Sequence, residues 1–297
     1  VIRFARVGSS RTSSSLKKTK KELIAFLWSE FPDGNFDFKV GGEISHIVGF
    51  FGGLKNLNYD SLLISTRPII HKKFNARNIV IDEKGLPKWP SEITQIAYNW
   101  KLLIKTVKLI HKKRPSLIYH RTTGFSFIGV LISICCRIPL IIEINSSETW
   151  KCKNWGHIRF SSLLELTEKL CTLYAHKIAV ISDEVKNFLI NIDVPSEKII
   201  VNPNGVDPKF FAPGGNGKTH KTVKKYGLTN KTVVGFVGSF NRYHGILTLA
   251  RAIKLVIQKN RNIHFMVIGD GKLKSDFEEV INSTNVSRFV TLTGKIT

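Results

Sequence analysis

Residues 233–245 read VVGFVGSFNRYHG, and residues 265–271 read FMVIGDG. Each piece starts as an apolar run rich in β-branched residues and ends in glycines, and a helical pattern follows it. A buried strand that passes through a glycine-rich turn into a helix presents backbone N–H groups to phosphate. Two such units in succession predict a doubly wound parallel sheet with an anion-binding edge.

The rest of the chain alternates in the same way, which predicts an α/β fold of parallel sheets covered by helices. Strands are expected at residues 61–66, 78–82, 117–120, 140–145, 177–182, 198–202, 233–239, 263–269 and 289–293. Helices are expected at residues 43–54, 93–112, 125–136, 162–174, 183–191, 246–259 and 273–283. The Gly-, Pro- and Asn-rich segment from Asn204 to Thr219 predicts a first domain over 1–205, a linker over 206–228 and a second domain over 229–297.

The N-terminal region is the hardest part of the chain to assign. Leu23 to Phe31 predicts a short amphipathic helix, and VIRFARV at residues 1–7 is a candidate first strand. An insertion would then separate that strand from the turn at Gly41. The Val1 start leads us to expect that an upstream piece is missing.

The charge balance restricts the classes of partner. The chain of 297 residues has 45 Lys and Arg against 22 Asp and Glu, a net charge of +23. Such an excess indicates nucleic acid, an anionic membrane or phosphorylated substrates. The basic residues form small dispersed clusters, whereas base readout requires a defined element in a groove. We therefore expect no specific nucleic-acid partner.

Cysteine usage and hydropathy indicate a cytoplasmic protein. The four cysteines have no CxxC spacing, and the adjacent Cys135 and Cys136 are a poor disulfide pair, so we expect a reducing compartment and no metal site. The apolar run from Phe125 to Ile144 approaches the length of a membrane span. Because Arg137 and Pro139 divide it, the run predicts a buried helix followed by a buried strand.

Polar residues in the first domain define candidate sites. Gly41 and Gly42 precede an apolar helix, so they are either an anion-binding turn or a tight turn that lets the helix pack on the sheet. His46, one turn later, either faces the site or packs beneath it.

Two predicted strands end in further polar residues. These are His120 with Arg121, and Glu143 with Asn145. Ligands of open α/β sheets bind at the carboxyl ends of strands, so we expect a substrate pocket there. Glu143 has apolar neighbours on both sides, and is either a paired structural carboxylate or a site residue.

In the second domain, the glycine-rich turns carry the candidate phosphate-binding residues. They are Gly238, Ser239, Arg242, His244, Gly269 and Gly271. A basic side chain beside a helix N-terminus is a suitable phosphate partner.

At these residues the sequence resembles the retaining glycosyltransferases of family 4, which have the GT-B architecture of two Rossmann-like domains. The resemblance runs from about Gly41 to the end. It rests on the GGxxxH start, on PNGVDPKFFAP at residues 203–213, and on the two glycine-rich turns. It implies transfer of a sugar from a nucleotide-sugar donor, a co-substrate held mainly by the second domain, to an acceptor held mainly by the first. It implies no metal and no other cofactor.

Carried over by position, the resemblance places Gly42 near the donor phosphates. Ser239 and His244 stand where many relatives have Arg and Lys, and Asn145 stands where many have a His near the reacting sugar. His120 is a further catalytic candidate, while His46, Arg121 and Glu143 are expected on the acceptor side. Phosphate binding here would therefore rest more on backbone N–H groups and on Arg242.

The resemblance also implies residues that this sequence lacks. The family's pair of donor-binding glutamates, seven residues apart, would lie downstream of Thr297, so we expect the second domain to be incomplete and this piece to be inactive alone. A carbohydrate or lipid-linked acceptor, with peripheral contact at the inner, anionic membrane face, would suit the basic charge. The alternative is a noncatalytic basic α/β module that binds nucleotide, sugar phosphate or nucleic acid.

Overall fold

Two parallel sheets organise the chain, one in each of its compact units, Val1–Asp207 and Pro208–Thr297. The computed structural model describes residues 21–29, 42–74, 76–82, 84–86, 91–155, 159–206 and 217–296, with the side chains of residues 91, 155 and 217–220 left out.

A seven-stranded sheet forms the centre of the first unit. Its strands are β1 Leu23–Trp28, β2 Asp60–Ser65, β3 Arg77–Val80, β4 Leu117–Arg121, β5 Leu140–Ile144, β6 Lys177–Val180 and β7 Ile199–Val201. They are all parallel, in the order β3-β2-β1-β4-β5-β6-β7. The order reverses between β1 and β4, which is where ligands of such sheets bind.

Helices cover both faces of this sheet. They are α1 Gly42–Asn56, α2 Ser91–Lys113, α3 Ile128–Cys136, α4 Glu148–Trp155, α5 Ser161–Tyr174 and α6 Asp183–Ile190. On one face, Ile47 and Phe51 of α1 pack with Phe26 of β1. On the other, α2, α3, α5 and α6 contribute buried residues to a second core, among them Leu102 and Ile128. From Gly42 onward, the helices and strands expected in this unit are present within a few residues, and α4 was not predicted.

The prediction of a helix from Leu23 to Phe31 is wrong, because Leu23–Trp28 is the central strand β1. A strand between two helical layers is buried on both faces, so its sequence has no alternation of polar and apolar residues. LIAFLW also contains Leu and Ala, which favour helices. Tertiary burial overrides that local preference. The alternative first strand at residues 1–7 lies outside the described residues.

The apolar run from Phe125 to Ile144 forms helix α3 and strand β5, as the sequence predicts. Arg137 separates them with a left-handed conformation, φ 54°, and its backbone N–H faces carbonyls of the last turn of α3. Among the described residues, no helix combines the length and apolar character that crossing a bilayer requires.

The second unit contains a three-stranded parallel sheet in the order β10-β9-β8. Its elements are α7 Gly217–Lys225, β8 Thr232–Val237, α8 Ile246–Lys259, β9 Ile263–Ile268, α9 Lys274–Ser283 and β10 Val290–Gly294. Helix α8 buries a stripe at helical spacing, Ile246, Ala250, Ile253 and Ile257, against the core residue Phe277. The unpredicted helix α7 lies within the segment expected to be a linker.

Gly269, just after β9, provides a test of the second unit's packing. Its φ is +145°, and an added Cβ would overlap the carbonyl oxygen of Gly238. We expect Gly269→Ala to lower the free energy of unfolding by more than about 2 kcal/mol, from backbone strain and overlap together. Denaturant unfolding followed by circular dichroism measures this. The control is Gly235→Ala in β8, where a Cβ meets nothing within 4 Å. Equal stability of the two variants would contradict the expectation.

Candidate functional site

Polar side chains from three elements meet at the carboxyl edge of the first unit's sheet. Arg121, the last residue of β4, is in register with Glu143 of β5, so both side chains lie on one face of the sheet. Tyr119, two residues before Arg121, lies on the same face. His46, one turn into α1, contacts this group from above the sheet.

The Glu143 carboxylate is the centre of this cluster. Its Oε2 accepts a hydrogen bond from the Tyr119 hydroxyl at 2.8 Å and lies 3.0 Å from Nε2 of His46. Its Oε1 accepts a hydrogen bond from Nη1 of Arg121 at 2.9 Å. The Glu143 side chain is only 3% exposed, and a buried charge needs such partners. In this structure Glu143 is thus a paired carboxylate, and His46 and Arg121 are the groups that it holds in place.

Burial and pairing act in opposite directions on these ionisable groups. Burial raises the pKa of Glu143, but the hydrogen bond and charge of His46, then the charge of Arg121 and the Tyr119 hydrogen bond, together outweigh it. The pKa of Glu143 is consequently held below its ordinary value of 4.5. Burial first, and then the neighbouring carboxylate, raise the pKa of Tyr119. At neutral pH the cluster therefore contains an ionised Glu143 and a protonated Tyr119.

Asn145 and Glu43 extend the cluster around Arg121. In the orientation that its neighbours require, the Asn145 amide oxygen accepts from Nη2 of Arg121 at 2.7 Å, and its amide nitrogen donates to Oε1 of Glu143 at 3.3 Å. Oε1 of Glu43 lies 3.7 Å from Nη2 of Arg121. The other carboxylate oxygen of Glu43, Oε2, is buried and has no hydrogen-bond partner within the described part of the chain.

His120 is separated from this cluster. It alternates with Tyr119 and Arg121 along β4, so its ring enters the opposite core and is fully buried. Its Nε2 lies 3.0 Å from the Ser126 hydroxyl, and burial lowers the pKa of His120 to about 3. Gly129 of α3 packs against the ring so closely that an added Cβ would overlap it. The ring is therefore neutral and enclosed, and its catalytic role remains a prediction without contacts to support it.

Gly42 begins α1, and an added Cβ there would meet nothing within 4 Å among the residues that the structure describes. Gly41 lies outside the described residues. Within the ranges that the structure describes, no three His, Cys, Asp or Glu side chains are grouped closely enough to hold a metal ion.

In the second unit, the turn after β8 collects polar groups in front of α8. Nδ1 of His244 lies 2.9 Å from the Ser239 hydroxyl and 2.7 Å from the Ser239 carbonyl oxygen, to which it can donate as the Nδ1–H tautomer. Gly245, with φ 65°, turns the chain directly into α8. Arg242 and Gly245 line a cavity of about 100 Å³ together with residues of that helix start and Leu273. This cavity therefore lies at a helix N-terminus, where phosphate is favoured.

The turn after β9 supports this arrangement from the neighbouring strand. Gly238 N–H donates to the carbonyl of Ile268 at 3.1 Å, and Phe240 N–H donates to that of Asp270 at 3.0 Å. An added Cβ at Gly271 would lie 2.9 Å from the Phe240 nitrogen. Gly269 and Gly271 thus act through the packing of two adjacent turns, while the side chains of Arg242 and His244 are exposed.

Family models match both units. Residues 40–210 match the model described as Glycosyltransferase Family 4, and residues 231–297 match the one described as Glycosyl transferases group 1.

Individual relatives are distant, and the chain spans about half of their length. The capsular polysaccharide biosynthesis glycosyltransferase CapM of Staphylococcus aureus is 24% identical, over 70% of this chain and 57% of CapM. The UDP-Gal:alpha-D-GlcNAc-diphosphoundecaprenol alpha-1,3-galactosyltransferase of Escherichia coli is 26% identical, over 61% of this chain and 47% of that enzyme.

A solved structure agrees with the fold. The crystal structure of Anabaena Alr3699/HepE in complex with UDP and glucose matches with a TM-score of 0.67 at 17% identity, over 93% of this chain and 70% of that one. The likeness confirms the α/β, GT-B type fold that the sequence predicts.

The depressed pKa of Glu143 gives a pH-dependent prediction. Its stabilising contribution is fully present above the ordinary value of 4.5 and is lost as the pH falls through the lower folded pKa. We expect Glu143→Gln to lower the free energy of unfolding by about 3 kcal/mol at pH 7, because Arg121 and His46 lose a charged partner. The deficit should shrink steadily below pH ~4.5.

Urea unfolding at a series of pH values measures the deficit. The matched control is Glu165→Gln, a change at an exposed position of α5 that should leave the wild-type pH profile in place. A deficit of constant size across the acid range would contradict the role of the ionised carboxylate.

Proposed function

The chain belongs to glycosyltransferase family 4, and from this premise we propose that it transfers a sugar from a nucleotide-sugar donor to a carbohydrate or lipid-linked acceptor, with retention of configuration. The observation that carries the proposal is the turn in front of α8, where Arg242, Gly245 and the helix N-terminus line one cavity. The diphosphate of a nucleotide sugar is the anion that such a position accommodates.

The second unit holds the donor. Backbone N–H groups at the start of α8 and the guanidinium of Arg242 stabilise the diphosphate, and the Ser239–His244 pair fixes the shape of the turn. Charge develops on the leaving diphosphate during transfer, so donors placed there in advance lower the barrier. Arg242 is the principal side-chain cation of this turn.

The first unit holds the acceptor through the groups around Glu143. If Nε2 of His46 donates to the carboxylate, the imidazole is fixed as the tautomer whose Nδ1 accepts a proton. The partnerless Oε2 of Glu43 can accept a hydrogen bond from a sugar hydroxyl. A charged, preorganised cluster of this kind orients a hydroxylated acceptor, which is how positioning accelerates transfer.

Lipid-linked acceptors fit the relatives best. The E. coli relative is named as a galactosyltransferase of a diphosphoundecaprenol-linked sugar, and CapM as a glycosyltransferase of capsular polysaccharide biosynthesis. The solved relative binds UDP and glucose. We extend these properties of the relatives to the present chain. Its donor is then a uridine nucleotide sugar, and its acceptor is a sugar linked to polyprenyl diphosphate.

Nucleotide affinity tests the donor site. We expect Arg242→Ala to weaken binding of the matching nucleoside diphosphate about tenfold, because a hydrogen bond to a charged group is lost. Calorimetric titration with UDP, GDP and ADP in turn measures the effect. The control is Lys259→Ala, which removes a cation from the far end of α8, about 20 Å away.

The two variants should differ in their affinity for the nucleoside diphosphate, and Lys259→Ala should bind it as tightly as the wild type does. Equal weakening by both changes would show that only net charge matters and would remove Arg242 from the site. Turnover is tested by release of nucleoside diphosphate from nucleotide sugars in the presence of lipid extract. Nucleotide binding without any release, in the full-length protein, would instead identify a noncatalytic module.

A further inference from the structure

Helix α2 has apolar side chains on the face that points away from the core. Its buried face carries Tyr98, Leu102 and Ile110. At about 100° per residue, Ile93, Trp100 and Ile104 lie within about 40° of one another on the other side of the helix, where the Trp100 ring also contacts Phe127 just before α3. They are 42%, 50% and 65% exposed. These three residues are named the outer stripe. A helix that packs on one face only normally has a polar outer face, so the outer stripe requires an explanation.

A row of lysines runs directly beside the outer stripe. Lys101, Lys105, Lys108 and Lys112 recur at spacings of four, three and four residues, within about 60° of the helix circumference. Lys101 donates to Asp82 and to the Lys84 carbonyl, while Lys105, Lys108 and Lys112 are exposed. Apolar side chains including a Trp, flanked by lysines, are the composition of helices that lie in a membrane interface.

The neighbouring helices also carry exposed apolar residues. Helix α3 packs between α2 and α5, and all three contribute to the same core on one face of the sheet. Their exposed apolar residues include Ile134 of α3, and Leu166 and Leu173 of α5, which are 55%, 51% and 59% exposed. Exposed apolar residues on this side of the sheet are therefore not confined to a single helix.

The topology places the start of α2 at the same edge of the sheet as the candidate acceptor cluster, although α2 covers the opposite face. A right-handed crossover helix runs antiparallel to its strands, so its N-terminal half lies at the carboxyl edge of the sheet. The cluster around Glu143 lies at that edge. A surface that contacts Ile93 and Trp100 thus approaches the edge where the acceptor is expected.

We propose that the outer stripe and lysine row of α2 dock this protein on an anionic lipid bilayer, where it takes its lipid-linked acceptor. The inference rests on the proposed function for the acceptor and on charge complementarity for the bilayer. Two copies paired symmetrically through α2 would bring lysine rows together in a chain of net charge +23, which opposes a dimer. Nucleic acid would use the lysines but not the outer stripe.

Co-sedimentation with vesicles tests the proposal. The probes are vesicles of phosphatidylglycerol and phosphatidylcholine in equal amounts, and vesicles of phosphatidylcholine alone. We expect binding to the anionic vesicles, lowered at least about tenfold by Lys108→Glu with Lys112→Glu, since each lysine near such a surface contributes about fivefold. Ile104→Gln should lower binding about fivefold. Trp100→Phe should keep the binding and remove the lipid-induced blue shift of the indole fluorescence.

Matched changes elsewhere serve as controls. Leu255→Gln on α8 replaces an equally exposed residue beside Lys254, and Lys221→Glu with Lys224→Glu on α7 reverses the same number of charges. Both should bind vesicles as the wild type does. Equal losses in the controls, or binding that Ile104→Gln leaves unchanged, would overturn the proposal. The proposal would also be overturned if the protein did not bind vesicles and formed a dimer that Ile104→Gln dissociates.

Nucleotide titration without lipid separates this inference from the proposed function. Intact nucleotide binding with no affinity for anionic vesicles would refute the docking surface alone. Vesicle binding that depends on α2, in a protein with no affinity for any nucleotide, would support the docking surface and refute the donor site.

Discussion

The buried carboxylate of Glu143 is the interaction on which the first unit's functional edge depends. An ionised group at 3% exposure is stable only if fixed donors replace water, and here the donors come from α1, from β4 and from the residue that follows β5. Each donor is oriented by the same anion, so the position of α1 over the sheet and the side chains of His46 and Arg121 are set together. The same hydrogen bonds therefore stabilise the fold and set the geometry of the site at this edge. Removing a member of the cluster would leave a charge unpaired in the protein interior.

Different interactions hold the candidate site of the second unit together. Its turns are held by main-chain hydrogen bonds between the segments after β8 and β9, and close approach of Gly269 to Gly238 leaves no space for side chains. The polar groups that remain, Arg242 and His244, are exposed and act with the N-terminus of α8. Backbone N–H groups suit a diphosphate, whose charge does not vary among donors, whereas the side chains of the first unit suit an acceptor with many hydroxyls. The proposed transfer would use this difference, with the donor on the second unit and the acceptor on the first.

Sequence periodicity predicted most of the fold, and it failed where burial is complete. The run LIAFLW of β1 is enclosed by two helical layers, so nothing in its pattern distinguishes a central strand from a helix. In the site, the sequence correctly places polar groups at strand ends, but it treats His120 and Arg121 alike. Strand alternation separates them, because neighbouring residues point to opposite faces, and the same rule would have identified Tyr119 as a partner of Arg121. The sequence did not identify Glu43 as part of the cluster, because its distance from Arg121 depends on how α1 lies over β4.

The outer face of α2 carries exposed apolar residues that packing against the sheet does not explain. Packing on the sheet requires only the stripe that includes Leu102, and every apolar residue on the solvent side lowers solubility without adding to the core. Lysines beside that second stripe would repel another copy of the chain but would be attracted by a lipid surface of opposite charge. If the acceptor carries a polyprenyl anchor, its sugar lies within a few ångströms of the headgroups, so the enzyme must bring the edge of its sheet to the bilayer. Trp100 belongs to the N-terminal half of α2, which lies toward the carboxyl edge of the sheet, so the proposed docking would bring that edge toward the bilayer.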